Sequence, residues 1–251
     1  MPKLAKPTTI RKSKPPKPPK PPKAARRRGR PEAVWETPDG YRIVDSLLAG
    51  APGRPGSDAV QAFAAEVVDT HVRLGRRGLA VCGAAVGAGV SFVAASLAVG
   101  LAQAGVSTLI VDANLEAPSL QDLIKPPTDL PGLWDLLDDD GMDLLDAVHA
   151  QVMPNLSVLY AGAVAPDAED RLGTDRFQGV VQRCLRHFEC TIFDTPPANR
   201  STGARTVALA AGYALLVARR GASYADDLEQ LADQLAQDGT LVVGSVLNRA
   251  G

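Results

Sequence analysis

Gly87, Gly89 and Ser91 stand at a spacing that suits the holding of phosphate. They lie in Leu79 to Ser91, LAVCGAAVGAGVS, where an apolar run precedes a glycine-rich turn and the apolar stretch FVAASLAVGLA follows. Strand, glycine-rich loop and helix, in that order, set backbone N–H groups and a helix N-terminus where an anion can sit. From Ala84 to Ser91 the chain matches the pattern Ala/Gly-x-x-x-x-Gly-Lys-Ser/Thr at every fixed place but one. Val90 occupies the position of the lysine that reaches the β- and γ-phosphates. Glycine and alanine also fill close-packed turns for steric reasons alone, so this loop by itself leaves both readings open. A second chemical group is Asp112, which closes the apolar run Thr108 to Val111. A carboxylate at the C-terminal end of a strand beside such a loop can hold Mg²⁺ or its water.

The elements that must position these residues follow from periodicity. Val60, Phe63, Ala64, Val67, Val68 and Val72 recur at helical spacing in a helix that opens at Ser57 and Asp58 and ends near Gly75. Strands are expected at 79–82, 108–111, 156–160, 190–193, 213–218 and 241–247. Helices are expected to follow the loop as far as Gln103 and at 143–150, 174–186, 201–210 and 223–236. Ser223 and Asp226 offer a capping box for the last of these. Residues 120–137 read as mixed, with Asp135 and Asp138 to Asp140 as a solvated face. Repeated β–α alternation with continuously apolar strands predicts an α/β fold, a mostly parallel sheet with helices on both faces.

Charge divides the chain. Residues 1–30 hold 12 of the 27 Lys and Arg and none of the 28 Asp and Glu, which leaves a formal −13 on the rest. Proline is too dense in this basic tail for helix or sheet, so a disordered, partly polyproline II arm is expected. The arm is either a solubilising tail or an attachment to an anionic surface. We favour the inner membrane surface over nucleic acid, because no aromatic residue before Trp35 could stack on bases. Residues 31–56 read as a linker with a short ordered piece at Tyr41 to Leu48, and 57–251 as the folded domain. Leu79 to Val111 carries no charge in 33 residues, but five glycines and two periodicities make it a buried strand–loop–helix–strand rather than a membrane span. Cys82, Cys184 and Cys190, and His71, His149 and His187, show no metal-ligand or redox spacing. No secretory signal is read at the N-terminus.

With the loop, Asp112 and Asp194 placed, the chain resembles the cytoplasmic kinase domain of bacterial tyrosine kinases (BY-kinases) of capsule and exopolysaccharide synthesis. These kinases are relatives of the MinD/ParA-like P-loop NTPases. The motifs are TLIVDANLEAPSL (108–120), GLWDLL (132–137), NLSVLYAG (155–162), TIFDTPP (191–197) and GSVLNR (244–249). The resemblance implies a P-loop NTPase-like fold over residues 57–249. It implies a nucleotide site at Gly87, Ala88, Gly89, Val90, Ser91, Asp112 and Asp194, with Mg²⁺ held by Ser91, Asp112 and Asp194, and Asp112 and Asp194 as the catalytic pair of an active member. The departures are specific. The family's loop lysine is Val90, and the alternative lysine of MinD/ParA-like proteins falls at Ala85. Asn114 replaces a second acid, and Glu116 a basic residue. Gln61, Ala64 and Val67 stand where a Glu-x-x-Arg-x-x-Arg pattern builds the family's ring, so the apolar side of that helix is expected to be free for another partner. The family's C-terminal tyrosine cluster is not found before Gly251.

These departures predict a non-catalytic BY-kinase-like regulator or adaptor of exopolysaccharide or capsule biosynthesis and export. No cofactor is expected, or ATP/ADP with Mg²⁺ held weakly. The partner would be a membrane polysaccharide co-polymerase or export protein, with the chain cytoplasmic and peripheral at the inner membrane. Two alternatives stay open: an active ATP-binding autokinase that uses a non-standard cation, with Arg200 or Arg205 as candidates, and a MinD/ParA-like positioning ATPase.

Overall fold

The computed structural model describes residues 34–50, 57–128, 131–164 and 167–249. The basic arm and residues 51–56 of the linker lie outside the described residues. Two short strands, β1 (Val34–Glu36) and β2 (Arg42–Val44), pair as an antiparallel ribbon across a turn in which Thr37 N–H donates to Tyr41 O at 2.8 Å. A 3₁₀ turn at Leu47–Gly50 follows, and then α1 (Ser57–Thr70). The chain continues through β3 (Gly78–Gly83), α2 (Val90–Gln103), β4 (Thr108–Asp112), α3 (Leu120–Leu123), β5 (Ile124–Lys125), α4 (Leu133–Asp138) and α5 (Leu144–Ala147). Next come β6 (His149–Met153), β7 (Leu156–Leu159), α6 (Ala168–Leu172), α7 (Asp175–His187) and β8 (Cys190–Asp194). The chain closes with α8 (Gly203–Ala211), β9 (Tyr213–Arg219), α9 (Ala225–Gln237) and β10 (Leu241–Asn248).

The main sheet has seven strands in the order β10-β9-β3-β8-β4-β7-β6, parallel throughout except for the β6–β7 pair. Both of its faces are buried over the inner strands, as alternate side chains show, whereas the edge strand β10 is largely exposed. Leu79 and Val81 of β3 join the core under α1 and α2, while Ala80 and Cys82 join the core under α4, α7, α8 and α9. Continuous apolar strands are what such a two-sided sheet requires. The crossovers bring the C-terminal ends of β3, β4 and β8 together, with Val81 beside Asp194 and Asp112 beside Asp194. The uncharged run from Leu79 to Val111 is therefore core rather than span; among the described residues no helix is long and apolar enough to cross a membrane.

Three expectations change. The ordered piece expected at Tyr41 to Leu48 is present, with Ile43 and Leu47 fully buried and β2 paired with β5 in a second, three-stranded sheet, but it extends back through the linker to β1 at Val34–Glu36. Tyr41, Leu48 and the ribbon close the end of the core that α1 and α2 leave open. The helix expected at 143–150 stops at Ala147, and His149–Met153 forms the antiparallel edge strand. Tertiary contact decides this, because His149 is buried edge-on to Tyr160 at 4.6 Å and bonded through Nδ1 to Tyr41 Oη at 3.1 Å. Finally, the apolar side of α1 is not free. Ala64 and Val67 are buried against α2, so closely that a Cβ on Gly100 would come within 2.9 Å of Ala64 Cβ. Exposed on this helix are Asp58, Glu66 and Asp69 together with Ala59, Gln61, Ala62, Ala65 and Thr70, a face of acids and small residues.

Candidate functional site

The loop between β3 and α2 is shaped by Gly87 (φ 81°) and Gly89 (φ 85°), both in the left-handed region that side chains disfavour. At Gly89 space forbids a side chain as well, since a Cβ there would stand 2.1 Å from Asn248 Nδ2. Distant residues hold the loop. Arg219 Nη1 donates to Gly87 O at 3.2 Å and Asn248 Nδ2 to Ala88 O at 3.1 Å. From the other side, Ala198 N–H donates to Gly83 O and Asn199 N–H to Ala84 O, at 3.0 and 3.1 Å. The turn after Asp194 is thus laid directly against the loop. Gly89 caps α2 without a side-chain bond and no acid sits in the first turn, so the helix N-terminus faces the loop with its positive end uncompensated.

A cleft of about 480 Å³ opens there, bounded by the loop from Ala85 to Phe92, by Asn114, Glu116 and Ala117, and by Thr195, Pro197 and Arg200. Its charged lining residues are Glu116 and Arg200. Arg205, the other candidate cation, is engaged elsewhere: Nε and Nη2 donate to the Asp238 carboxylate, both at 2.6 Å.

Val90 begins α2 and is only 9% exposed. Its Cγ2 lies 2.6 Å from where a Cβ on Gly83 would stand, and the side chain belongs to the apolar core. Position 90 therefore packs the loop onto β3, although it borders the cleft. Ser91 accepts a hydrogen bond from Ser119 Oγ at 2.7 Å.

The two acids differ in a way their positions did not reveal. Asp112 is 1% exposed, and its oxygens accept the N–H groups of Asn114 (3.1 Å), Ser119 (3.0 Å) and Leu120 (3.1 Å). It organises the turn that follows β4, while Asn114 closes that turn through Nδ2 to Ala117 O at 2.9 Å. Burial still pushes the Asp112 carboxyl up to about 6, against the pull of those three N–H groups. Asp194 is fully buried, and neither oxygen has a hydrogen-bond partner among the described residues. Burial first, and then the neighbouring Asp112, hold its carboxyl well above the usual range, with the Ser91 hydroxyl acting in the opposite sense.

The structure thus gathers Gly87, Ala88, Gly89, Val90 and Ser91 around one cleft, with Asp112 and Asp194 at the strand ends behind it. The backbone cradle fits a phosphate group, but among the described residues no group of three or more His, Cys, Asp or Glu side chains is placed to hold a metal ion. The lining does not fit the charge of a Mg–nucleotide, because no lysine stands in the loop and Glu116 offsets Arg200. Arg219 and Asn248, the clamps of the loop, are missed by sequence reasoning. They lie 132 and 160 residues from their partners; Asn248 falls within the GSVLNR motif, but nothing local assigns it this role, and no local signal marks Arg219.

No protein-family model matches the chain. It is 30% identical over 171 residues to the tyrosine-protein kinase CpsD of Streptococcus agalactiae, covering 68% of this chain and 74% of that one. It is 29% identical over 161 residues to the putative tyrosine-protein kinase CapB of Staphylococcus aureus, covering 64% and 70%. Among solved structures, the kinase domain of the Escherichia coli tyrosine kinase Etk superposes with a TM-score of 0.73 at 27% identity, over 82% of each chain. The Pyrococcus horikoshii septum site-determining protein MinD, complexed with Mg-ADP, superposes at 0.59 with 24% identity, over 70% and 71%, a likeness of fold alone.

Proposed function

Because this chain belongs to the bacterial tyrosine-kinase family, we propose that it is a non-catalytic member, a regulator or adaptor of exopolysaccharide or capsule biosynthesis and export. One observation carries the reading: the residue in the place of the phosphate-binding cation is Val90, buried in the core. Phosphoryl transfer consists almost wholly of positioning and of neutralising the charge that develops on phosphate oxygens. A triphosphate brings about four negative charges, and this cleft meets them with one exposed guanidinium, one carboxylate and a helix end. Mg²⁺, when present, would supply Lewis-acid charge at Ser91 and the strand-end acids; Asp112 already spends both oxygens on backbone N–H groups.

The test is the chain alone with Mg–ATP, followed for ADP and for phosphotyrosine. Neither product is expected above a protein-free control. ADP or phosphotyrosine that disappears in both Asp112→Ala and Arg200→Ala overturns the reading. It would establish instead an active kinase whose cation is Arg200, a second reading favoured only by the place of Arg200 in the cleft lining.

The proposed partner is a membrane polysaccharide co-polymerase or export protein, with the 12 basic residues of the arm drawing an otherwise acidic body to the anionic inner leaflet. Each such charge adds at most about 1 kcal/mol near the surface, and less in salt. Deleting residues 1–30 should therefore abolish salt-sensitive binding to phosphatidylserine vesicles while leaving the melting temperature unchanged. Equal vesicle binding by the two proteins would reduce the arm to a solubiliser.

A further inference from the structure

The sequence contains two tryptophans, and one is built into the body. Trp134 is half-buried against the core under α4 and α7, with the Arg171 guanidinium over its ring at 4.8 Å. Trp35 is different. It is 40% exposed, and among the described residues neither another ring nor a cation stacks on it. Its neighbour Val34 is 42% exposed.

The ribbon accounts for this exposure. β1 pairs with β2 alone, so its outer edge is unpaired among the described residues. Trp35 stands opposite Ile43 and shares its face of the ribbon, yet Ile43 is fully buried and Trp35 is not. Val34, opposite Val44, lies on the other face, as successive residues of a strand do. What Val34 and Trp35 share is the free edge of β1. The charge at that edge, Glu36, stands opposite Arg42, which offsets it. Tryptophan is highly buried on average. Where it is not, an apolar ring with an indole N–H suits the boundary between water and hydrocarbon.

A second observation comes from the residues that precede this strand. Arg26, Arg27, Arg28 and Arg30 end the basic arm and lead directly into Val34 and Trp35. A surface that attracts those guanidiniums therefore meets β1 next along the chain. Attraction by basic residues alone is screened by salt, and stable attachment to a bilayer takes a second signal beside a polybasic one. We propose that the outer edge of β1, with Trp35 and Val34, seats at the headgroup level of an anionic bilayer and is that second signal. The proposal rests on the reading that the arm is drawn to the inner leaflet, and it adds the apolar half of the attachment. Val34 argues for lipid over nucleic acid, because an aliphatic side chain can enter a headgroup layer but has no ring to stack on a base.

The experiment uses the full chain carrying Trp134→Phe, which leaves Trp35 as its sole tryptophan. Vesicles of phosphatidylserine and phosphatidylcholine are expected to shift its emission to shorter wavelength, and lipids with brominated acyl chains to quench it. Vesicles of phosphatidylcholine alone should do neither. In the otherwise unaltered chain, Trp35→Ala is expected to bind the anionic vesicles severalfold more weakly and to lose the binding that persists in high salt. Sedimentation with the vesicles while Trp35 emission stays unshifted and unquenched overturns the proposal and leaves the arm reading intact. Trp35→Ala that binds as the unaltered chain does, or quenching of Trp35 by single-stranded DNA but not by brominated lipid, overturns it as well. A chain that does not sediment with anionic vesicles at all overturns both readings, so the two failures are distinguishable.

Discussion

Titrated with Mg–ADP, the wild-type chain is expected to give no saturable heat at micromolar concentration, and Val90→Lys to gain at least about tenfold in affinity. The gain follows from the charge at stake. Hydrogen bonds to charged groups contribute about 1.5–3 kcal/mol, and each 1.4 kcal/mol is a factor of about ten. The loop needs no rebuilding, because Gly87 and Gly89 already hold the left-handed turns and Arg219 and Asn248 fix two of its carbonyls. The cost falls on stability. Val90 is part of the core against Gly83, and moving a valine-sized apolar group out of a core loses about 1.5–3 kcal/mol. A lysine can recover part of that by keeping its stem on the apolar surface while its ammonium reaches the cleft. Calorimetry and melting measured together should therefore show tighter binding and a lower melting temperature in one variant. Micromolar affinity in the wild type, lost on Asp112→Ala, would sink the argument that the missing cation disables the site.

Replacing Asp194 with Asn should stabilise the protein at pH 8 and change little at pH 4. Asp194 is fully buried without a hydrogen-bond partner among the described residues, beside a second buried carboxyl. Burial, and then Asp112, raise its folded-state pKa, and burial raises that of Asp112 to about 6. The folded state consequently binds more protons than the unfolded chain once pH exceeds about 3.9. Stability from this pair is complete below that value and is lost as pH rises through about 6 and beyond. Asn cannot ionise, so it removes the Asp194 share of the loss; the shift at Asp112, which burial causes, remains. An uncompensated buried polar group costs about 1–3 kcal/mol, and more when charged. A body of this size gains about 2–4 °C for each kcal/mol, so the melting curves of the two proteins should part by several degrees at pH 8. Equal destabilisation by Asp194→Asn at pH 4 and pH 8 would show instead that the carboxylate is charged and usefully held.

How much of this was legible in the sequence divides along a physical line. The alternation of apolar strands with helical periodicity located β3, β4, β7, β8 and β9 within a residue or two, because a strand buried on both faces must be apolar throughout; β10 was located as well, although at the sheet edge its Leu241, Val243 and Leu247 stay exposed. Asp112 and Asp194 could be placed at strand ends, and the loop from Gly87 to Ser91 before a helix, since both are local patterns. Nothing local could show that Asp112 is satisfied by three N–H groups and Asp194 by none. Equally hidden were the inward packing of Val90, and the engagement of Ser223 with Arg219 rather than with α9. An ordered piece was expected at Tyr41 to Leu48, but its form as a ribbon of β1 and β2 escaped, for strands of three residues carry no period to detect and β2 owes its form to burial of Ile43 and pairing with β5. The amino-acid order by itself determined most of the elements, the charge division and the absence of a loop lysine. Which polar atoms find partners, and which apolar side chains point inward, was decided only by the tertiary structure. Those outcomes depend on contacts between residues as far as 160 positions apart, whose burial energy outweighs local preference.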